Sequence, residues 1–192
     1  MSQIKLAPNA SGTGIFTIDS PNSNTNRTLS LPDNAGTFIT TGSNGQVIPK
    51  AALPTGSVLQ VVNADYTTSN STTSTSYVTG VTGSITTVAA SSKIQIIATF
   101  GWNASNANSF IKYERTISGS TTALYTSSSW VLRNNNASLI DMIVPVSYLD
   151  SPSQSAGTAI TYTISVNRGG GSGTVITNEA YTARIQFLEI AA

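Results

Sequence analysis

Apolar and polar positions alternate along most of the chain from residue 57 onward, and a period of two indicates β-strands. Gly, Asn and Ser separate the alternating runs, with about one strand per dozen residues, which is typical of an antiparallel sandwich or barrel. The pattern predicts strands, some of them parts of one longer strand, at 57–66, 76–81, 83–88, 93–102, 109–118, 122–127, 129–134, 138–149, 159–168 and 181–190. We therefore expect an all-β C-terminal domain.

The last predicted strand, YTARIQFLEI, carries apolar residues on both of its faces. One row contains Tyr181, Ala183, Ile185 and Phe187, with Glu189 next in the same row, and the other row includes Leu188 and Ile190. A strand with two partly apolar faces is covered in part on both sides. We expect another subunit to supply the second cover.

The first 41 residues contain only short strand-like pieces, separated by turns rich in Pro, Asn and Gly. These pieces are GIFTID (14–19), RTLSL (27–31) and GTFIT (36–40), and the last two contribute Leu29, Leu31, Phe38 and Ile39 as their large apolar residues. Residues 42–57 contain Pro49 and Pro54, which interrupt strand pairing. The sequence predicts an N-terminal segment at 1–41, a linker at 42–57 and a β-sandwich domain at 58–192.

Composition narrows the classes of function. Charged residues make up 9% of the chain, against about 25% in ordinary soluble proteins, and the net charge is only +1. The weak charge gives no support to nucleic-acid binding. The chain has no Cys and no His, which excludes disulfides, Cys/His zinc sites and His-based acid–base catalysis. No apolar run approaches the roughly 20 residues of a membrane helix, and the N-terminus does not resemble a signal peptide.

Two stretches resemble proteins of a known group. The run GIFTIDSPNSNTNRTLSLPDNAGTFITT (14–41), with its TNRTLSLPD core and following AGT, resembles a stalk segment of bacteriophage tail fibres and related virion fibre proteins. GSVLQVV (56–62) and STTSTSYVTGVTGSITTVAASSKIQIIATF (71–100) resemble the compact C-terminal domain of many phage fibre-like proteins. The part from about 101 to 180 carries no such motif.

The resemblance implies a homotrimer with an intertwined N-terminal segment and a C-terminal jelly-roll-like antiparallel β-sandwich. In such a trimer Leu29, Leu31, Phe38 and Ile39 form the interface between chains and the anchoring element. Burying each such side chain contributes roughly 1.5–3 kcal/mol. The alternative is that residues 1–41 fold back onto their own sandwich.

The resemblance further implies a non-enzymatic virion structural protein, a short surface fibre or spike that attaches the particle to its host. The stalk segment occurs once and starts near the N-terminus, so a capsid decoration protein anchored through residues 1–41 is the main alternative. The expected partners are two further copies, another virion protein and a host-surface glycan. We expect no cofactor, no metal, no nucleic acid and no membrane insertion, with assembly in the host cytoplasm and a final place on the virion surface. A depolymerase and a cellular adhesin are weaker alternatives.

The residues offer little for catalysis. Glu114 and Asp141 lie on predicted strands, and a glycosidase needs two facing carboxylates. An ion pair is the simpler role for Glu114, because Lys112 and Arg115 lie beside it. RGGGSGT (168–174) lacks the GK[ST] ending of a phosphate-binding loop and reads as a flexible loop between strands.

Aromatic and amide side chains suggest where a receptor binds. An aromatic ring beside polar groups is a frequent sugar-binding arrangement. WNASNANS (102–109) and SSSWVLRNNN (127–136) have this character. The candidate receptor contacts are Trp102, Asn103, Asn106, Trp130, Asn134 and Asn135. For the two Trp residues, a place in the core or on the trimer axis is the favoured alternative.

Overall fold

The computed structural model describes residues 53–192, together with 11–15, 17, 22, 24–26 and 28. The chain divides into two units, Met1–Ser43 and Asn44–Ala192. Leu29, Leu31, Phe38 and Ile39, and most of the predicted linker, lie outside the described residues. Within the described part, no helix has the length and hydropathy needed to cross a membrane.

Every regular element in residues 53–192 is a β-strand, and all pairings are antiparallel, which confirms the predicted all-β class. The thirteen strands are β1 (Val58–Tyr66), β2 (Asn70–Thr72), β3 (Val78–Thr86), β4 (Lys93–Ala104), β5 (Ala107–Ser109), β6 (Ile111–Ile117), β7 (Ser120–Thr126), β8 (Leu132–Asn134), β9 (Ile140–Asp150), β10 (Ala159–Val166), β11 (Gly170–Gly171), β12 (Val175–Thr177) and β13 (Ala183–Ile190).

The strands form three sheets. In the first sheet β1 pairs with β13, β13 with β4, and β4 with β9, while the short β12 and β2 continue the sheet beside the end of β4. The second sheet has the order β3-β10-β6-β7, and the small third sheet has the order β11-β5-β8. With twelve residues, β4 is long enough to pair with two strands along one edge, first with β13 and then with β12.

Several strand boundaries differ from the predicted ones. The predicted strands at 76–81 and 83–88 form the single strand β3, and the predicted strand at 109–118 divides into β5 and β6. Gly80 and Gly83 lie inside β3, where a Cβ would come within 2.6 Å of Phe100 and of Ile185. These glycines therefore mark close packing of β3 against the first sheet, not a turn.

The core lies between the first and second sheets and follows the predicted alternation. On β13 the row Ala183, Ile185, Phe187 and Glu189 is buried, as predicted. In the opposite row, on the outer face of the first sheet, Leu188 and Ile190 are half-buried and Arg184 is exposed. The predicted cover of this outer face by another subunit stays a prediction. The other fully buried large side chains are Trp102, Tyr162, Phe100, Ile85, Ile94, Ile160, Val81, Val166 and Val175.

Glu189 is the charged member of the buried β13 row and is completely shielded from solvent. The Val88 amide donates to both carboxylate oxygens at 2.9 Å, and Oε1 also accepts from the Ala89 amide at 3.0 Å and the Ser92 hydroxyl at 2.7 Å. Gln60 donates to Oε2. A buried carboxylate is tolerated when donors surround it. Through these hydrogen bonds Glu189 holds the β3–β4 connection against the end of β13.

A second buried carboxylate joins the two main sheets. Arg115 Nη1 donates to the two oxygens of Asp150 at 2.9 and 2.8 Å, and the Tyr162 hydroxyl donates to Oδ2 at 2.8 Å. Burial and the hydrogen bond to Asp150 raise the pKa of the Tyr162 hydroxyl above its ordinary value of 10.0. Because Asp150 ends β9 while Arg115 and Tyr162 lie in the second sheet, the network crosses the core.

Candidate functional site

Four of the connections between strands meet at one end of the sandwich, here called the loop end. Strand pairing places Tyr66, Ala104, Val166 and Ala183 at this end. The strands that begin or end here are therefore neighbours, and so are the connections that join them. The connections are 67–77, 105–110, 127–139 and 167–182. The opposite end holds 87–92, 118–119 and 151–158. Loops gathered at one end of a rigid scaffold are a frequent location of binding sites.

The third sheet ties three of these connections together. Its strands β5, β8 and β11 come from 105–110, 127–139 and 167–182 respectively. The Asn106 carbonyl accepts from the amides of Ser172 and Gly173 at 3.0 Å, and its side-chain amide donates to the Ser172 hydroxyl at 2.8 Å. A Cβ on Gly173 would lie 1.5 Å from the Ser105 carbonyl oxygen. The glycines of RGGGSGT therefore allow the close approach of two connections.

Asn134 is buried and organises the connection from β7 to β9. Its side-chain amide donates to the carbonyls of Ala104 at 2.7 Å and Ser138 at 2.8 Å, while Oδ1 accepts from the Asn136 amide at 2.9 Å. These bonds occupy the amide group, so Asn134 holds the loop and presents no group to a ligand. Asn135, beside it, is exposed.

Trp102 lies in the core with none of its surface exposed, and its indole N–H donates to the Ser109 hydroxyl at 2.9 Å. The ring therefore offers no face to a receptor, in agreement with the core alternative. Asn103, the next residue, points to the other side of β4. Its side-chain amide donates to Asp141 and, at 3.1 Å, to Glu179.

Trp130 differs from Trp102 because 40% of its surface is exposed. It borders a shallow depression of about 430 Å³, lined by Phe110, Ser128, Ser129, Trp130, Arg133 and Gly169. The Arg133 guanidinium carbon lies 5.3 Å from the centre of the Trp130 ring. The Val131 amide donates to the Ser109 carbonyl at 3.0 Å, which fixes the backbone beside Trp130. The loop end thus has an aromatic ring, a cation and hydroxyl groups on one surface.

The sequence-predicted residues therefore separate into two groups. Asn103, Asn106, Trp130 and Asn135 lie at the loop end with exposed or half-exposed side chains, whereas Trp102 and Asn134 are buried. Receptor contact by the first group stays a prediction. Arg133 and Phe110 were not predicted as site residues, because both fall within predicted strands, at 129–134 and 109–118, and a single Arg or Phe there gives no signal for binding.

An aromatic groove opens along the side of the sandwich, between the unpaired edges of β9 and β7. Tyr113 lies at its centre, with ring centroids of Tyr125 and Tyr148 at 5.1 and 5.7 Å. The groove measures about 380 Å³. Burial raises the pKa of the Tyr113 hydroxyl, and the neighbouring Tyr125 adds to the rise. Contacts between rings account for this cluster, and none of the described residues that line the groove is charged.

The carboxylates considered for catalysis do not face each other. Glu114 forms an ion pair with Lys112 at 2.8 Å on the second sheet, as the simpler role predicted. Asp141 contacts Asn103 on the outer face of the first sheet, so the core separates it from Glu114. Within residues 53–192 and the few described positions before them, no three Asp or Glu side chains are grouped as a metal site requires.

No protein-family model matches the sequence, and no curated protein matches it. Three solved structures of infectious bursal disease virus are similar in part. The Gx strain structure matches at a TM-score of 0.36 and 15% identity over 71% of this chain, and the Gt strain structure at 0.35 and 13% over 69%. The VP2 subviral particle matches at 0.37 and 15% over 71%. The matched parts span 38–39% of those chains, and a likeness of this degree establishes no shared function.

Proposed function

We propose that this chain is a non-enzymatic virion structural protein that forms a homotrimeric surface spike and attaches the particle to its host. Residues 1–41 form the anchor, and residues 58–192 form the head. The resemblance of residues 14–41 to phage fibre stalks motivates the virion assignment. The loop end of the head carries the attachment surface.

The head is a jelly roll in this proposal. Its eight long strands run β1-β13-β4-β9 in one sheet and β3-β10-β6-β7 in the other. Consecutive long strands therefore alternate between sheets, except for the hairpin of β6 and β7, and this order supports two Greek keys folded as a jelly roll. A jelly roll presents its connections in two groups, one at each end.

The observation that carries the attachment role is the unequal size of those two groups. The loop end contains 67–77, 105–110, 127–139 and 167–182, and the backbone hydrogen bonds of the third sheet join the last three of these connections. A fixed loop surface with the exposed ring of Trp130 is suited to recognition, because little ordering is needed on binding. Three copies in a spike strengthen weak individual contacts through avidity.

The location on the particle tests the virion assignment directly. Cryo-EM of the particle that carries this protein is expected to show three-fold projections with the loop end directed outward. Density bound to the capsid shell through residues 1–41 would instead support the capsid decoration role. A particle with no density for the chain would overturn both.

Adhesion of the purified full chain to host cells tests the attachment role. We expect the protein to compete with particle adsorption, and Trp130→Ala to weaken the competition because the exposed ring is lost. Asn135→Ala, on the same surface, is expected to have a smaller effect. Adhesion that is absent in the wild type, or equal in both variants and the wild type, would contradict attachment through the loop end.

Trimer formation is tested by light scattering. The wild type is expected at three times the 19.9 kDa chain mass. Replacing Leu29 and Leu31 by Ser removes apolar side chains from the proposed interface and should give a monomer, whereas Thr28→Ser should leave the trimer intact. A monomeric wild type would refute the trimer.

A further inference from the structure

Three residues form a row across one face of the third sheet. Asn108 on β5 pairs directly with Gly170 on β11 and with Arg133 on β8. Directly paired residues of antiparallel strands project to the same face. Asn108 therefore lies between Gly170 and Arg133 on one face of this sheet.

Trp130 covers this row. A Cβ on Gly170 would lie 2.7 Å from the Trp130 ring, and one on Gly169 would lie 2.9 Å from its indole nitrogen. The ring therefore rests directly on the backbone of the two glycines. Arg133 approaches the same ring at 5.3 Å, so Trp130 and Arg133 lie on the face of the sheet to which Asn108 projects.

Asn108 is only 5% exposed, and its Oδ1 has no hydrogen-bond partner. A buried acceptor without a donor is unfavourable, and buried polar groups nearly always have partners. The neighbouring buried amides follow that rule, since the side-chain oxygens of Asn134 and Asn167 each accept a backbone N–H and their NH2 groups each donate to a carbonyl. Asn108 is thus an acceptor held beneath the Trp130–Arg133 surface with no donor supplied by the described chain.

Arg133 is also without an acidic partner among the described residues, where the ion pairs are Lys112–Glu114, Arg115–Asp150 and Arg184–Asp65. Among the described residues that line the 430 Å³ depression, Arg133 is the one with a charge. A guanidinium stacked on an aromatic ring keeps its N–H groups oriented for a bidentate bond to a carboxylate. The uncharged remainder of the lining offers the hydroxyls of Ser128 and Ser129.

We propose that this depression binds a saccharide that carries a carboxylate, such as a uronic or sialic acid residue. The Arg133 guanidinium binds the carboxylate, and the exposed part of the Trp130 ring contacts the apolar face of the sugar. The Ser128 and Ser129 hydroxyls bond to sugar hydroxyls, and the buried Asn108 acceptor lies beneath this surface without contact to the sugar. This inference rests on the proposed attachment function and specifies its ligand class.

The test uses the full chain and three probes of defined structure: trigalacturonic acid, its methyl ester and sialyllactose. Binding is followed by isothermal titration and by the fluorescence of the protein. The acidic probes are expected to bind at least about tenfold more tightly than the methyl ester, because esterification removes the charge that pairs with Arg133. Equal binding of acid and ester, or no binding of either acidic probe, would overturn the proposal.

Matched variants locate the site. Arg133→Gln is expected to reduce affinity for the acidic probes by about tenfold or more, whereas Arg184→Gln, an equal loss of charge on the outer face of the first sheet, is expected to leave affinity unchanged. Asn108→Asp places a carboxylate beside Arg133 and should occupy the guanidinium, with a similar loss. Equal effects of the two Arg variants would assign the binding to overall charge and refute the site. Acetate that competes as strongly as the sugars would refute the saccharide.

The two levels of the proposal fail in different ways. Host-cell adhesion that persists in Arg133→Gln would leave attachment in place and overturn the acidic site. Saccharide binding in a protein that never adheres to host cells would retain the site and overturn the attachment function.

Discussion

Buried amide side chains hold the loop end, whereas two buried carboxylates hold the opposite end. At the loop end, Asn134 and Asn178 bond to backbone groups of neighbouring strands and loops. At the opposite end, Glu189 accepts hydrogen bonds from the amides of the β3–β4 connection, and Asp150 accepts hydrogen bonds from the second sheet. The comparison shows that this weakly charged chain places its buried charge far from the proposed binding surface.

The difference has a physical consequence for stability. An Asn side chain both donates and accepts, so it can match a loop backbone without a charge to desolvate. A buried carboxylate forms stronger bonds but leaves a large penalty when its partners are lost. Changes at the opposite end should therefore be the more damaging ones.

The largest effect is expected from Asp150→Ala. This change leaves the Arg115 guanidinium buried without its acceptor, and we expect the free energy of unfolding to fall by about 3–5 kcal/mol in urea denaturation. Asp65→Ala is the matched control, because the Asp65–Arg184 pair is largely exposed and is worth about 0–1 kcal/mol. A loss at position 150 no larger than at position 65 would contradict the role of the network.

Glu189→Gln should have the next largest effect. The new side-chain amide presents hydrogens to backbone N–H groups that need acceptors, at a cost of about 1–3 kcal/mol. Hydrogen exchange at the amides of Val88 and Ala89 should accelerate. Glu179→Gln, at an exposed position, is the control and should change stability by less than about 0.5 kcal/mol. Unchanged protection of residues 88 and 89 would count against the anchoring role.

Asn134→Ala removes hydrogen bonds at the loop end. The free energy of unfolding is expected to fall by a smaller amount, about 1–2 kcal/mol, because no buried charge loses its partner. The neighbouring variant Asn135→Ala removes an exposed side chain and should be close to neutral. Both are measured by denaturation, with hydrogen exchange of the Asn136 amide as the local readout. If the two substitutions are equivalent, the three hydrogen bonds of Asn134 do not hold the loop.

The smallest expected effect is a loss of stability at alkaline pH, which arises from Tyr162 in the network at the opposite end. Tyrosine ionises near pH 10 when unfolded, whereas burial keeps Tyr162 protonated to higher pH in the fold. The contribution of Tyr162 to the free energy of unfolding is therefore fully present below pH 10. It declines as pH rises from 10 toward the folded pKa, by roughly 1 kcal/mol between pH 10 and 11.

The Tyr162→Phe variant should lose this part of the pH dependence when unfolding is measured at pH 9 to 11. Part of the decline should remain, since burial also raises the pKa of Tyr113. An identical pH slope in wild type and variant would show that Tyr162 does not titrate differently on folding.

The core was predictable from sequence because alternation records which face of a strand is buried. The inward row of β13 follows from it. Trp102 was a candidate receptor contact, with a core position as the alternative, and its side chain is buried. The third sheet was not predictable, since its strands have two or three residues and alternation needs more. The partners of Glu189 lie about a hundred residues earlier in the chain, and no local pattern connects them.

The candidate site was predicted only in outline. The polar segments around Trp130 and Asn106 meet at one end, but their composition did not predict that they would lie together. The unpartnered oxygen of Asn108 and the stacking of Arg133 depend on three-dimensional pairing between distant segments. Such pairings are fixed by the register of β5 with β8 and β11, which no single segment encodes.

The backbone links among 105–110, 127–139 and 167–182 constrain how this protein can diversify. Each of these connections supplies one strand of a shared sheet, and Gly171 and Gly173 leave no room for a side chain against Asn106 and Ser105. A length change in one connection therefore disturbs the other two. Variants with new specificity should arise by exchange of the three segments as a set, and 67–77 is constrained as well, because its strand β2 pairs with β12 of 167–182.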